Sequence, residues 1–339
     1  MSNLSDSLLF WYEENKRKLP WRRIKDLNNP YFIWISEIML QQTNVNTVIR
    51  FYKQFIKKWP TIEKLANAKL DDVLFIWQGL GYYNRAINIH KSAKIICKDF
   101  NGKFPSSTER LLKLPGIGKY TANAICSIAF NKRTIGIDVN VKRVISRIFN
   151  LDINDEKKIE KSCLEILPNR NSADFMQATM DVGSSICTKK KINCSICPLV
   201  KDCNYKIPKN DQKTLFKKKY KRRFSYIYLM QWKNKIFLKK RNKTKLLNGL
   251  MEVPGTEWSE SQLSTNIAKT IAPVKLNWRI VPGTLAYNIS NCKLEVNFLR
   301  AKINRKINIK NGKWIKQNKI KDLPLSTLTK KILHRLSLS

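Results

Sequence analysis

Leu114-Pro115-Gly116-Ile117-Gly118-Lys119 is followed at once by Tyr120-Thr121-Ala122-Asn123-Ala124-Ile125-Cys126-Ser127-Ile128-Ala129-Phe130. This stretch decides how the first two thirds of the chain are read. A proline and two glycines break any regular element, and the small and apolar run behind them carries no breaker. The expected local structure is a tight hairpin that feeds straight into a helix. At such a helix start the backbone N–H groups of Gly116 and Gly118 can approach a phosphate, with the helix dipole assisting and Lys119 adjacent. Pro-Gly-x-Gly is also a common turn, so the stretch alone leaves both readings open.

Outward from the hairpin, the pattern is helical from Ser5 to about Gly183. Val141, Val144, Ile145 and Ile148 give the i, i+3, i+4, i+7 stripe of an amphipathic helix. Phe51, Phe55 and Trp59, with Ile49 and Ile56 beside them, outline another. Pro60, Gly79, Gly81, Pro105 and Pro115 punctuate between such segments. Residues 1–204 therefore read as one all-α domain. Residues 205–223 hold few large apolar side chains and many cations, which reads as a basic linker. Beyond it, Phe224 to Trp232 and Ile236 to Lys240 are β-rich runs split by a Lys-Asn-Lys turn, the pattern of a hairpin. Asn277 to Val281 and Lys293 to Lys302 are further strand candidates, and a last helix is expected over Ser326 to Leu338. Residues 224–339 thus form a smaller α+β domain.

The charge is strongly one-sided: net +40 over 339 residues, of which +26 lies from residue 205 onward. Such a field concentrates polyanions and speeds encounter with them. A Lys-, Ile- and Asn-rich composition would also raise the charge, but Asp and Glu are scarce here as well. Nucleic acid is the leading partner class and an anionic membrane the second. No run approaches the ~18 apolar residues needed to cross a bilayer, and Met1 to Leu9 has no signal-peptide pattern.

Three further features carry chemistry. Cys187-x6-Cys194-x2-Cys197-x5-Cys203 places four thiols within seventeen residues, a donor set for an iron–sulfur cluster or a tetrahedral zinc. A single Cys-x2-Cys flanked by unequal spacers favours the cluster over zinc, whose sites more often pair two such knuckles. Cys97, Cys126, Cys163 and Cys292 sit in apolar contexts as ordinary reduced thiols. Glu37 lies in Tyr31-Phe32-Ile33-Trp34-Ile35-Ser36-Glu37-Ile38-Met39-Leu40, where only Ser36 and Glu37 are distinctly polar. A carboxyl stripped of water there would hold its proton near neutral pH; the plain alternative is an outward-facing side chain. Asp138 stands just before the 141–148 stripe, where it can cap the helix, face a substrate cation, or do both.

Together these stretches resemble the helix-hairpin-helix, iron–sulfur DNA glycosylases, and specifically the MutY-type adenine DNA glycosylases. The resemblance is carried by Leu19-Pro20-Trp21-Arg22, Trp34 to Thr43, Gly79-Leu80-Gly81-Tyr82-Tyr83, Leu114 to Ala122, Asp138-Val139-Asn140-Val141-Lys142-Arg143-Val144 and the four-cysteine loop. The C-terminal part resembles that family's Nudix-like domain more weakly, best at Gly249 to Gly255. The resemblance implies an enzyme that flips adenine out of a mispair with 8-oxoguanine or guanine and cleaves its N-glycosidic bond. Glu37 matches the acid that protonates the base, and Asp138 the carboxylate that stabilises the sugar cation. Tyr120 and Asn140 match residues that hold this region in place. Trp21, Arg22, Leu40 and Gln177 match the base pocket, and Gln42, Thr43, Leu80 and Tyr82 match residues that wedge into the duplex and contact the opposite base. Gly116, Gly118 and Lys119 match the phosphate-binding hairpin. Cys187, Cys194, Cys197 and Cys203 match the ligands of a 4Fe–4S cluster whose part is structural. The implied protein is a bacterial, cytoplasmic, nucleoid-associated monomer that binds double-stranded DNA and no membrane.

Tyr120 stands where the lyase-active relatives place a Schiff-base lysine, and Lys119 is one position off. A monofunctional glycosylase follows, as against an endonuclease III-like lyase or a DNA-binding protein without activity. Two departures stand out. Val139 replaces the family's glycine between the aspartate and the asparagine, although a β-branched residue resists φ > 0. Ile289-Ser290-Asn291 replaces a Phe-Ser-His loop that reads the lesion, leaving Ser290 as the remaining hydrogen-bonding group.

Overall fold

A computed structural model describes residues 2–23, 28–205, 221–242, 244, 246–309 and 311–337. Helices fill the first part: α1 (Ser2–Asn15), α2 (Pro30–Leu40), α3 (Val45–Lys58), α4 (Ile62–Ala66), α5 (Leu70–Ile76), α6 (Asn84–Asp99), α7 (Thr108–Leu112), α8 (Lys119–Phe130), α9 (Val139–Ile148), α10 (Glu156–Ile166) and α11 (Ser172–Ser185). Then come the strands β1 (Lys221–Trp232), β2 (Lys235–Lys240), β3 (Met251–Glu252), β4 (Arg279–Ile289), β5 (Cys292–Ile303) and β6 (Gly312–Lys316), with α12 (Thr265–Thr270) and α13 (Thr327–Ser337) among them. The chain divides into two compact units, one of Met1–Ala68 with Asn88–Asp211, the other of Lys69–Ile87 with Gln212–Ser339.

In the first unit, the stripe of α9 is buried as the sequence dictates: Val141, Val144, Ile145 and Ile148 are each at most 2% exposed. They meet α11 and α1 through Phe175, Val182 and Leu8 in one core. The α3 stripe keeps Phe55 and Trp59 as expected, but Tyr52 takes the buried place expected for Phe51. Val48, Tyr52, Phe55 and Trp59 are buried, while Ile49, Phe51 and Ile56 lie at its margins. A helix with apolar residues on neighbouring positions offers two overlapping stripes, and packing against α2 selects one. The hairpin forms between α7 and α8: Ile117 N–H bonds Leu114 O, Gly116 adopts φ +80° and Gly118 caps α8 without a side chain. A Cβ at Gly116 would fall 2.8 Å from Asn88 Cβ, so the turn needs glycine on two counts.

In the second unit the strands run β3-β2-β1-β5-β4, with β6 also pairing β2. β1 and β5 are parallel and the other pairs antiparallel. The side-chain period of two sends Ile227 and Leu229 to one face, under Leu328, Ile332 and Leu336 of α13. It sends Tyr226, Tyr228 and Met230 to the other, with Trp278 and Ala268 of α12. The β1–β2 hairpin is as expected, with Lys233 at φ +50° in its turn. β4 is twice its expected length: Pro282-Gly283 reads as a break, but a bulge between Val281 and Leu285 absorbs it, with Gly283 at φ +81°. Segment 69–87 joins this unit through Gln78 Nε2 to Leu323 O at 2.8 Å, Asn248 Nδ2 to Asn84 Oδ1 at 3.1 Å and Lys240 to Asp71 at 2.5 Å. The expected linker falls mostly on 206–220, outside the described residues, while Lys221 to Arg223 belong to β1. Leu338, the expected end of the last helix, also lies outside them.

Candidate active site

α2 starts at Pro30, whose fixed φ suits the first helical position, and Asn29 accepts a hydrogen bond from Tyr31 N–H to cap it. From Ile33 to Met39 every residue is buried, Glu37 included at 7% exposure. Glu37 is therefore not the outward-facing residue that its helix alone would allow. It faces a cavity of about 590 Å³ set wholly in the first unit.

Tyr120, in the first turn of α8, donates its phenolic O–H to Glu37 Oε2 at 2.5 Å. Burial pushes the Glu37 carboxyl up to about 7; the Asp138 charge adds to the rise, and the Tyr120 hydrogen bond and Arg22 oppose it. Tyr120 is itself pushed well up by burial and by Glu37.

Across the cavity, Asp138 caps α9. Its Oδ1 accepts from Asn140 N–H at 2.9 Å and Val141 N–H at 2.7 Å, and its Oδ2 accepts from Asn140 Nδ2 at 2.8 Å. Capping and facing the cavity are thus the same geometry. Asn140 is fixed in turn by Arg143 Nη2, which donates to Asn140 Oδ1 at 2.8 Å and to Gly183 O at 2.5 Å. Val139 is the first residue of α9 and lies outside the left-handed region, so its side chain costs no strain there; it is 73% exposed at the cavity's edge.

Gly183 explains how α9 and α11 come so close. A Cβ there would sit 2.8 Å from Asn140 Cβ and 3.1 Å from Asn140 O. Gly183→Ala should therefore displace Asn140, costing about 1–3 kcal/mol of stability. It should also slow turnover by up to about a hundredfold through misplacement of Asp138. Thermal melting and single-turnover rates measured on the same preparation check both.

The sequence-predicted residues separate into three groups. Trp21, Arg22, Leu40, Gln42, Thr43, Tyr120, Asn140 and Gln177 all line the cavity with Glu37 and Asp138. Gln42 takes φ +55° in the turn that follows α2. Lys119 turns away to an exposed ion pair with Glu160 at 2.7 Å, and Gly116 and Gly118 stay at the hairpin. Leu80 and Tyr82 belong to the second unit, where Leu80 is buried and Tyr82, at φ +46°, is half exposed. Ser290 is there too, at φ +55° in the two-residue turn between paired Ile289 and Cys292. Arg17, Asp181, Arg143 and Gly183 were not singled out in the sequence. Arg143 stood only inside the Asp138 to Val144 stretch, and Asp181 lies one helical turn beyond Gln177 on α11.

Cys187, Cys194, Cys197 and Cys203 are free and half-buried. Burial raises Cys197, and the other three thiols raise it further, so the four share one neighbourhood. Arg147 Nη1 donates to Cys187 Sγ at 3.1 Å and to Cys187 O at 3.2 Å. No group of three or more His, Cys, Asp or Glu side chains among the described residues is arranged to hold a single metal ion. Four soft thiols beside a cation fit an anionic multi-iron cluster better than a lone zinc.

Residues 35–169 match the HhH-GPD superfamily of base excision DNA repair proteins, and residues 225–335 match the NUDIX domain. The adenine DNA glycosylase of Buchnera aphidicola subsp. Baizongia pistaciae is 45% identical over 248 residues, 69% of this chain and 68% of that protein. That of Buchnera aphidicola subsp. Acyrthosiphon pisum is 42% identical over 76% of each chain. The human adenine DNA glycosylase is 40% identical over 58% of this chain and 38% of its own. Among solved structures, a thermostable thymine-DNA glycosylase superposes with TM-score 0.55 at 29% identity, covering 59% of this chain and 94% of its own. A non-covalent endonuclease III–DNA complex gives 0.52 at 26%, covering 59% and 92%. By the similarity of its sequence over most of its length, this chain belongs to the adenine DNA glycosylase family.

Proposed function

We propose that the chain excises adenine from duplex DNA, hydrolysing the N-glycosidic bond of adenine mispaired with 8-oxoguanine or guanine. The observation that carries this is a buried carboxyl that titrates near pH 7, lining one cavity with a second carboxyl that caps a helix. Tyr120 donates to Oε2 of Glu37, which leaves Oε1 to carry the acid proton. Glu37 gives that proton to N7 of the flipped base. The C1′–N9 bond then breaks with its electron pair on the base, and water adds to C1′, giving its proton to the Glu37 carboxylate and so restoring the acid. Asp138, held by three donors, supplies negative charge to the sugar cation. Trp21, Leu40 and Gln177 enclose the base, and the hairpin at Gly116 and Gly118 holds a backbone phosphate. With Tyr120 in place of an amine and Lys119 paired to Glu160, no imine forms and the backbone stays intact.

Cys187, Cys194, Cys197 and Cys203 would hold a 4Fe–4S cluster, which when bound braces the loop and positions DNA. Iron and sulfide analysis of the purified protein should find a full cluster, lost in Cys194→Ser. Leu80, Tyr82, Gln42 and Thr43 contact the duplex around the opposite base, and Ser290 at its hairpin tip contacts the lesion. Ile289 and Asn291 lack the aromatic ring and imidazole of the family loop, so preference for 8-oxoguanine over guanine should be weak. The protein acts as a monomer, residues 1–204 cutting, the chain from 205 to the start of β1 linking and the part from Lys221 on reading the opposite strand. No helix among the described residues is long and apolar enough to cross a membrane.

Single-turnover assays on duplexes with adenine opposite 8-oxoguanine, guanine or thymine test the reading. Release from the first two, none from the third and no adduct trapped by borohydride are expected. Failure to release adenine from either mispair would overturn it.

A further inference from the structure

Asp181 lies on α11 and is 1% exposed, yet two cations sit on its carboxylate. Arg22 Nη1 donates to its Oδ2 at 2.6 Å and Arg22 Nη2 to its Oδ1 at 3.1 Å, a two-pronged clamp. Arg17 Nε donates to Oδ1 at 2.7 Å, and the Arg17 backbone N–H also reaches Oδ2. The Arg22 guanidinium rests over the Tyr12 ring, 5.8 Å from its centroid. Arg17 and Arg22 both line the cavity; Asp181 stands behind them and does not. Two cations beside the proposed acid pose an electrostatic problem, because an unscreened positive charge favours the ionised form of Glu37 and so discards the catalytic proton.

We propose that Asp181 is a positioning residue of the excision site: its buried carboxylate aims Arg22 into the base pocket and offsets the guanidinium charge that faces Glu37. This deepens the adenine-excision reading and rests on it. The buried clamp leaves Arg22 its donors for the base without stripping the proton from its neighbour. The titratable and charged groups around Glu37 are few. Tyr120 of α8, Asp138 at the cap of α9 and Arg22 from the segment before α2 act on it directly; Arg17 shares the cavity, while Asp181 and Asp174 of α11 and Tyr12 of α1 act on Arg22. Of these, Arg22 is the cation that lowers the Glu37 carboxyl, and Asp181 is the carboxylate bound to Arg22.

The test measures single-turnover adenine release against pH for the wild-type protein, Asp181→Asn, Asp181→Glu, Arg22→Gln and the Asp181→Asn/Arg22→Gln double variant. It also measures the Glu37 carboxyl directly, by NMR titration of the DNA-free protein carrying 13C-labelled glutamate. Asp181→Asn should move the Glu37 titration and the alkaline limb of the rate profile down by about one pH unit. The ratio of rates at pH 8 and pH 6 then drops about fivefold. Asp181→Glu should restore most of the limb, and the double variant should bring it back above that of Asp181→Asn, because the released cation is gone. A uniform loss at every pH with the Glu37 titration unmoved would overturn the proposal, and so would a double variant no different from Asp181→Asn. Should Asp181→Asn not fold, Arg22→Gln alone must raise the Glu37 titration, and an unmoved value overturns the proposal equally. If the wild-type protein releases no adenine, the excision reading fails, while the titration still decides the role of Asp181.

Discussion

Glu37→Gln is expected to slow adenine release by about 10²–10⁴-fold, the usual contribution of a positioned acid. The amide keeps the size of the carboxyl and can still accept from Tyr120, so the cavity should keep its shape. Substrate affinity should change far less than the rate, which a binding assay on the same duplex checks. The same substitution should stabilise the protein at alkaline pH. Burial raises the Glu37 carboxyl in the folded protein from 4.5 to about 7, so the folded state holds this proton more tightly than the unfolded chain. Its contribution is complete below pH 4.5 and is lost as pH rises through 7, leaving above that a penalty on the order of 3 kcal/mol. The neutral amide of the variant carries no such penalty. The melting temperature of the variant should exceed that of the wild type at pH 8, and the difference should vanish near pH 4. Equal melting at both pH values would mean that Glu37 is not buried as an acid.

Asp138→Asn separates two roles that share one side chain. Asparagine caps helices about as well as aspartate, so α9 should survive with stability changed by no more than about 1 kcal/mol. The negative charge beside the sugar is gone, however, and the amide nitrogen must now face Asn140 Nδ2, a donor against a donor. Loss of one such electrostatic group from a closed site costs about 10²–10³-fold, and the rate should fall at least that far at every pH. Asp138→Ala should match that loss of rate and add the cost of the missing cap, about 1 kcal/mol. A near-wild-type rate in Asp138→Asn would remove the sugar-facing anion from the mechanism.

The difference between these experiments mirrors what could be read from residues alone. Local signals were strong where one element met one rule. The stripe 141, 144, 145, 148 fixed α9 and its buried face, and Leu114 to Lys119 fixed a hairpin before α8. The cysteine spacing fixed a thiol loop. Glu37 could be suspected from the apolar run around it, and Asp138 from its place before a stripe. One position of the α3 face, Phe51 for Tyr52, was misread and β4 was expected too short, because two registers, or a Pro-Gly pair, satisfied the same local rules.

The sequence by itself thus determined that the first part is helical, where the hairpin turns and which residues could carry a proton or a charge, because those properties depend on neighbours within a few positions. Only the tertiary structure decided that Glu37 and Asp138, a hundred and one positions apart, line one cavity, since that depends on α8 packing on α2 and α9 on α11. It alone placed Asp181 under Arg22 and Gly183 against Asn140. Desolvation and charge pairing are set by what surrounds a group in space, and the chain order of the residues holds no direct record of that.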